Sequence, residues 1–246
     1  MKTLALMALC LSAANTQRDP ITLFVQANDA YENGKYDRAR SLYETLLESG
    51  HESGPIFYNL GNARLRTGDL GGAIAAYLSS QSVMPRSEDV RANLAFARQS
   101  TKDAIEPHQS AAVVRTLFFW HFGLSKKELL QGAFIVNLLF WMFLAWRFAR
   151  PQSELPRWAA MVTFAVLVAL GASAALRLAA PRRVAVVSPE EISVHAGIGR
   201  DAVVRFKLHA GTEMQWLETR DEWLRVELPD GKQGWVSSDD VHTLTL

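Results

Sequence analysis

Two nearly uncharged runs, Leu129–Trp146 and Ala159–Leu176, constrain this chain more than any other feature, because neither contains a single Asp, Glu, Lys or Arg. At about 1.5 Å per helical residue, a run of that length nearly spans a hydrocarbon core of about 30 Å. Backbone polar groups in lipid must bond within their own segment, so both runs are expected to be helices. The short basic connector Arg147–Trp158 makes them a hairpin whose ends leave on one side. Two buried helices of a soluble core would share this composition. Trp141, Trp146 and Trp158 near the helix ends, with Arg147, Arg150 and Arg157 in the connector, fit interfacial anchoring better. The expected spans are 129–148 and 158–178, with a cytoplasmic loop at 149–157. Small residues Ala165, Ala169, Gly171, Ala172 and Ala175 are expected to pack against the first helix, with Gln131 or Asn137 bonding across.

The first residues suggest how the hairpin is oriented. Lys2, the apolar run Leu4–Leu11 and small residues Ser12, Ala13 and Ala14 read as a secretory signal over 1–14, with an uncleaved anchor as the alternative. Cys10, the one cysteine, falls inside that signal, so the mature chain is expected to carry no disulfide or thiolate site. The 26 basic residues nearly balance the 25 acidic ones and form no stripe, which argues against nucleic acid. Both flanking segments are then expected outside the cytoplasm. Lys126, Lys127, Arg177, Arg182 and Arg183 flank the outer helix ends, so loop charge supports that orientation only in part.

Between the signal and the hairpin the chain repeats itself. The shift that lays Ala27 on Gly61 also places Gly34 on Gly68, Ala39 on Ala73 and Tyr43 on Tyr77. Small residues let two antiparallel helices approach, the glycine ends the first helix, and the aromatic fills the remaining gap. With Leu23 in the first unit and Phe57, Leu60 and Pro85 in the second, this resembles the tetratricopeptide repeat, an α-helical solenoid, expected over 20–99. A third unit starts at Asp89–Ala95 and stops matching at Pro107, so its helix is expected to cap a two-repeat stack. So short a stack is expected to lean on the membrane surface or a partner. The resemblance implies a peptide-binding concave face of Phe24, Asn28, Tyr31, Tyr58, Asn59, Asn62, Leu65 and Phe96. For the asparagines the alternative is bonding to a neighbouring turn; for the aromatics it is core packing. Family members that clamp a C-terminal carboxylate use two asparagines with basic residues. Asn28 and Asn59 match, but Phe24, Asp89 and Asn93 stand where the bases should be, so a neutral aromatic groove is expected. Residues 100–128 read as a linker with an interfacial segment rich in Phe118, Phe119, Trp120 and Phe122; a third helix packed on the repeats is the alternative.

After the hairpin the pattern changes to short apolar strands: Val184–Val187, Val203–Leu208, Glu213–Glu218, Trp223–Leu228 and Gly234–Val236. Turns at Pro189, Gly211, Arg220-Asp221 and Pro229-Asp230-Gly231 indicate a small all-β barrel over 184–246. Gly211-Thr212, Trp223–Val226, Asp230-Gly231 and Gly234–Val236 resemble a bacterial SH3-like domain, whose groove implies Trp216, Glu222, Trp223 and Trp235 as contacts. Trp223 and Trp235 also suit core positions.

No catalytic signature emerges. The six histidines are scattered, with no H-E-x-x-H pair, G-x-S-x-G elbow, Walker loop or dinucleotide fingerprint. The chain is therefore expected to be a multidomain, non-enzymatic membrane protein without catalytic, metal or cofactor residues. The order of signal, short repeat stack, two-helix hairpin and SH3-like barrel is similar to BatE-like members of the bacterial aerotolerance (Bat) family. That resemblance implies a two-pass protein of the bacterial inner membrane with both soluble modules in the periplasm. It implies protein partners, namely von Willebrand factor A-domain membrane proteins and a MoxR-type ATPase system, in envelope or oxidative-stress functions. Peptidoglycan bound by the barrel is the alternative ligand.

Overall fold

A computed structural model describes residues 19–103, 118–179 and 181–246, with only the backbone of Phe119 and Phe122. The expected signal at 1–14 and most of the expected linker lie outside the described residues. Five helices form the N-terminal stack: α1 (Pro20–Glu32), α2 (Tyr36–Glu48), α3 (Gly54–Arg66), α4 (Leu70–Val83) and α5 (Glu88–Gln99). Local chemistry sets their limits. Asp19, Ser53, Asp69 and Ser87 cap four of them by accepting backbone N–H bonds. Gly34 and Gly68 reverse the chain at φ +72° and +84°, a region that disfavours side chains. Gly61 is set by packing: a Cβ there would lie 2.6 Å from the Tyr77 ring. Ala27, Ala39, Ala73, Tyr43 and Tyr77 are all buried. The tyrosine therefore fills the seat left by the small residue within its own helix pair.

The C-terminal module is an all-β domain of seven antiparallel strands, two more than the sequence pattern gives. They are β1 (Arg183–Val187), β2 (Glu191–His195), β3 (Val204–His209), β4 (Glu213–Arg220), β5 (Trp223–Glu227), β6 (Gln233–Ser237) and β7 (Val241–Thr245). Their order is β3-β2-β6-β5-β4-β1-β7. Gly234 is needed where β2 crosses, because a Cβ would lie 2.3 Å from Val194. Gly231 takes φ +85° in the turn between β5 and β6.

The barrel docks on the outer face of α4, while α5, the expected capping helix, keeps most of its outer residues exposed. Strand β1 is buried on both faces: Ala185 and Val187 enter the barrel core, while Val184 and Val186 join Ile74, Leu78, Leu94 and Ala97 of the stack. Gly71 lies so close to β1 that a Cβ would stand 2.1 Å from the Val187 carbonyl oxygen. Polar clasps frame the seam. Arg98 donates to both Glu213 oxygens at 2.6 and 2.9 Å, and Asp103 accepts from the His209 N–H, His209 Nδ1 and Thr212 Oγ1.

The hairpin comprises α7 (Lys126–Ala149) and α8 (Leu155–Ala179), preceded by the single turn α6 (Phe119–Gly123). Both long helices are apolar and long enough to cross a membrane, and little of either is buried within the protein. Buried core helices of a soluble fold would show the reverse. Half-buried or buried residues Ala160, Thr163, Leu167, Leu170 and Ser173 mark the packed face of α8. Of the small residues expected there, Ala165, Gly171, Ala172 and Ala175 are exposed and only Ala169 is half-buried. Apart from Gly171 that set keeps the same spacing of three and four residues, but it sits about half a turn away around the helix and so faces outward. At the open end Trp120 Nε1 donates to Ser173 Oγ at 3.3 Å, and Arg177 donates to the Leu124 carbonyl at 2.9 Å. Helix α6 thus packs on the hairpin base. Arg86, just after α4, pairs with Glu128 in the first turn of α7.

Candidate interaction surfaces

The concave face of the stack is built on a hydrogen-bond unit that occurs twice, once in each repeat. Tyr43 donates to Asn28 Oδ1 at 2.6 Å, and Asn59 Nδ2 donates to the same oxygen at 3.0 Å. In the next unit Tyr77 donates to Asn62 Oδ1 at 2.7 Å, and Asn93 Nδ2 donates to that oxygen at 2.9 Å. Asn93 Nδ2 also donates to the Tyr58 hydroxyl at 3.1 Å. Each unit links the two helices of one repeat to the first helix of the next. Burial pushes the Tyr43 hydroxyl up to about 12, and pushes Tyr77 up as well, so both stay protonated donors at neutral pH.

These asparagines are therefore struts between repeats, and the bonding alternative describes part of their role. Their remaining amide groups are of the kind that pairs with a peptide backbone. Phe24, Tyr31, Tyr58 and Leu65 are half-buried around them, and Phe96 stands 60 % exposed on α5. Phe24 meets Tyr43 and Tyr58 meets Tyr77, with ring centroids 6.2 and 6.1 Å apart. All eight concave-face residues lie on α1, α3 and α5. Asn93 is absent from the expected face, where it counts only as standing in place of a clamp base, although the repeat register places it on Asn59.

On the barrel the four candidate residues do not form one groove. Strand β4 bulges between Trp216 and Glu218, which reverses the side-chain alternation. Trp216 consequently packs on the barrel core, with its Nε1 donating to Thr219 at 2.9 Å. Trp223 and Trp235 lie outside that core, on the opposite face, where the Trp223–Ser237 and Arg225–Trp235 pairings make them diagonal neighbours. The expectation that these two suit the core is thus corrected: Leu224, Val226, Gly234 and Val236 take the inward positions. Around the pair stand residues to which the sequence does not point. His195 meets Trp223 edge-on at 5.5 Å, and Arg220 lies 5.7 Å from the Trp235 ring centre. Glu222 is exposed in the β4–β5 turn, apart from the Trp223–Trp235 platform's inner strands. The alternation Glu191-Ile192-Ser193-Val194-His195 is a signal that could have marked β2, but it does not tell which ring His195 meets.

A cleft of about 360 Å³ lies where stack and barrel meet, lined by Leu47, Phe57, Leu60, Arg64, His242 and Leu244 among others. Arg64 donates to Glu44 at 2.9 Å and to the Gly72 carbonyl at 3.1 Å. Burial holds the His242 ring below its usual range, and the Arg64 charge adds to that, so it is neutral at pH 7. The Arg64 bonds lie within the stack, tying α3 to α2 and α4. Among the described residues no group of His, Cys, Asp or Glu is arranged to hold a metal ion.

Comparison with known families agrees with these two modules. Residues 24–82 match the tetratricopeptide repeat, and residues 192–242 match the bacterial SH3 domain. A search of curated proteins returns no match. The chain thus combines tetratricopeptide and bacterial SH3 modules of the kind that bind proteins or peptidoglycan.

Proposed function

We propose that this chain is a non-enzymatic, membrane-anchored scaffold whose repeat stack grips a segment of a partner protein. The observation that carries the reading is an asymmetry in the stack. Its outer helix α4 is sealed by the barrel, while the concave face leaves Asn28, Asn59 and Asn62 half-exposed and Phe96 exposed. The exposed apolar flanks of α7 and α8 support a hairpin that spans the bilayer. In this reading both modules face the periplasm from the inner membrane, and the complex is of the Bat and MoxR type, serving envelope or oxidative-stress functions.

Affinity purification of the detergent-solubilised full chain tests it. A membrane protein with a von Willebrand factor A domain is expected to co-purify, together with a MoxR-type ATPase, and Phe96→Ala should lose both. Recovery of neither would contradict the reading. A reporter fused at Gln152 should report cytoplasm, whereas fusions after Arg98 and Leu246 should not.

A second reading has its own support, because Trp223 and Trp235 stand on the solvent side of the barrel beside Arg220. Aromatic faces of this kind suit sugar rings and peptide stems, so the barrel would bind peptidoglycan. Retention of the protein on cell-wall sacculi, lost in Trp235→Ala, would favour it over a scaffold that binds protein alone.

A further inference from the structure

The strand register fixes which end of the barrel approaches the hairpin. Helix α8 ends at Ala179, and β1 begins at Arg183. Strand β4 runs antiparallel to β1 with Val184 opposite Gln215, so Leu217 lies level with Arg182. The chain then continues through Thr219 and Asp221 before β5 starts at Trp223. The tip of the β4–β5 hairpin therefore overshoots Arg182 by about 13 Å, in the direction from which α8 arrives. The stretch from Ala179 to Arg182 covers at most about 11 Å, so the helix end lies no farther from Arg182 than the tip does.

The stack gives the same orientation independently. Gly71, at the start of α4, meets Val187 at the far end of β1. The opposite end of α4 leads to Arg86, which pairs with Glu128 in the first turn of α7. Helix α4 thus runs from the distal end of the barrel toward the hairpin base, and the β4–β5 tip shares the level of that base.

The side chains at this end suit a lipid interface. Trp216 and Trp223 are half-buried, and Arg183 lies 5.4 Å from the Trp216 ring centre. Arg182, Arg183 and Arg220 are matched by Glu218, Asp221 and Glu222, so the end carries no net charge. Tryptophan with arginine is the pairing that anchors proteins at the headgroup layer, where ring bodies are apolar and ring edges meet polar groups. With charge balanced, ring burial and arginine–phosphate bonds supply the attraction, and a zwitterionic surface suffices.

We propose that the β4–β5 hairpin rests in the headgroup layer of the bilayer that α7 and α8 span, making the barrel's lower end a lipid-contacting surface. The proposal rests on the spanning reading of the hairpin. Barrel orientation, and with it the direction of the Trp223–Trp235 face, is then set by the membrane as well as by the stack.

The test uses the full chain with Cys10→Ser, reconstituted in phosphatidylethanolamine–phosphatidylcholine vesicles containing lipids spin-labelled at the headgroup or at mid-chain. Fluorophores are placed at Glu222→Cys and, in a second variant, Thr219→Cys. Controls are Leu138→Cys within α7 and Asp230→Cys in the distal β5–β6 turn. Headgroup quencher should reduce the two tip signals roughly twofold relative to Asp230, as expected of an interfacial site. Mid-chain quencher should reduce the Leu138 signal. Quenching at Leu138 with tip signals no weaker than Asp230 overturns lipid contact and leaves the spanning hairpin standing. An unquenched Leu138 overturns the spanning reading and the proposal together.

Discussion

Helices α2 and α4 occupy the same place in successive repeats, yet one faces solvent and the other lies under the barrel. Both keep the residues that make a repeat: Ala39 and Tyr43 in one, Ala73 and Tyr77 in the other, all buried. They differ elsewhere. Where α2 has Asp37, Arg38, Arg40 and Glu44, α4 has Gly71, Gly72, Ile74 and Leu78. The shared positions hold the solenoid; Gly71, Ile74 and Leu78 create the seat for β1, while Gly72 makes room for the Asp69 cap. A repeat fold can therefore take on a second module by changing only the outward face of one helix.

Exchanging residues between the helices should break this distinction. Gly71→Asp places a charged side chain where even a Cβ would stand 2.1 Å from the Val187 oxygen. A buried, unpaired charge with steric overlap should cost about 4 kcal/mol or more and undock the barrel. The matching change Asp37→Gly should cost only about 0.5–1 kcal/mol, from a small loss of helix propensity and of the favourable charge in the first turn. Thermal unfolding in detergent would measure both, and equal effects would refute the contrast. Ile74→Ala comes next: the side chain is fully buried against β1, and its loss should cost about 3 kcal/mol. Arg40→Ala at the equivalent place should stay within about 0.5 kcal/mol, because Arg40 is partly solvated.

How much of this is legible in the sequence differs along the chain. The repeat register is legible because Gly34, Gly68, Tyr43 and Tyr77 are local requirements of turns and helix pairs. The hairpin is legible from composition. Docking leaves a trace in the apolar run Val184–Val187, which has no polar alternate and signals burial on both faces, but a sequence does not say what covers the second face. Strand β7 escapes notice because Val241–Thr245 is short and lacks a clean alternation, whereas the alternation of Glu191–His195 carries a strand signal that the five-strand expectation passes over. The opposed faces of Trp216 and Trp223 depend on the β4 bulge, which residue spacing does not reveal. On the concave face the eight positions follow from the repeat, whereas the Asn–Asn struts need the geometry.

Acidification should probe the polar clasp at the seam. Burial, the largest single influence on Asp103, pushes its carboxyl up, but bonds from Thr212 and His209 and the His209 charge together bring it below the ordinary value. A depressed folded pKa means that its stabilisation is complete above the unfolded value of about 4 and is lost as pH falls through the lower folded value. Hydrogen exchange at β3 and β4 should accelerate over that acid window, and Asp103→Asn should flatten the response. A response unchanged in Asp103→Asn would assign the acid sensitivity elsewhere.

The smallest expected effect tests what the two repeats share. Tyr43→Phe and Tyr77→Phe each remove a donor from an asparagine oxygen that keeps its amide partner. Each should cost about 1 kcal/mol, and the two costs should agree. A much larger cost at Tyr77, read by denaturant unfolding, would mean that barrel docking has altered the repeat interior too.

Native-state hydrogen exchange of the full chain in nanodiscs tests the central claim most directly, namely that barrel and stack form one body through α4 and β1. Amides of α4, β1 and β7 should open together with a single free energy, and Gly71→Asp should lower all three alike. Protection of β1 and β7 that is unaffected by Gly71→Asp, with only α4 weakened, would show two independent modules and contradict the account.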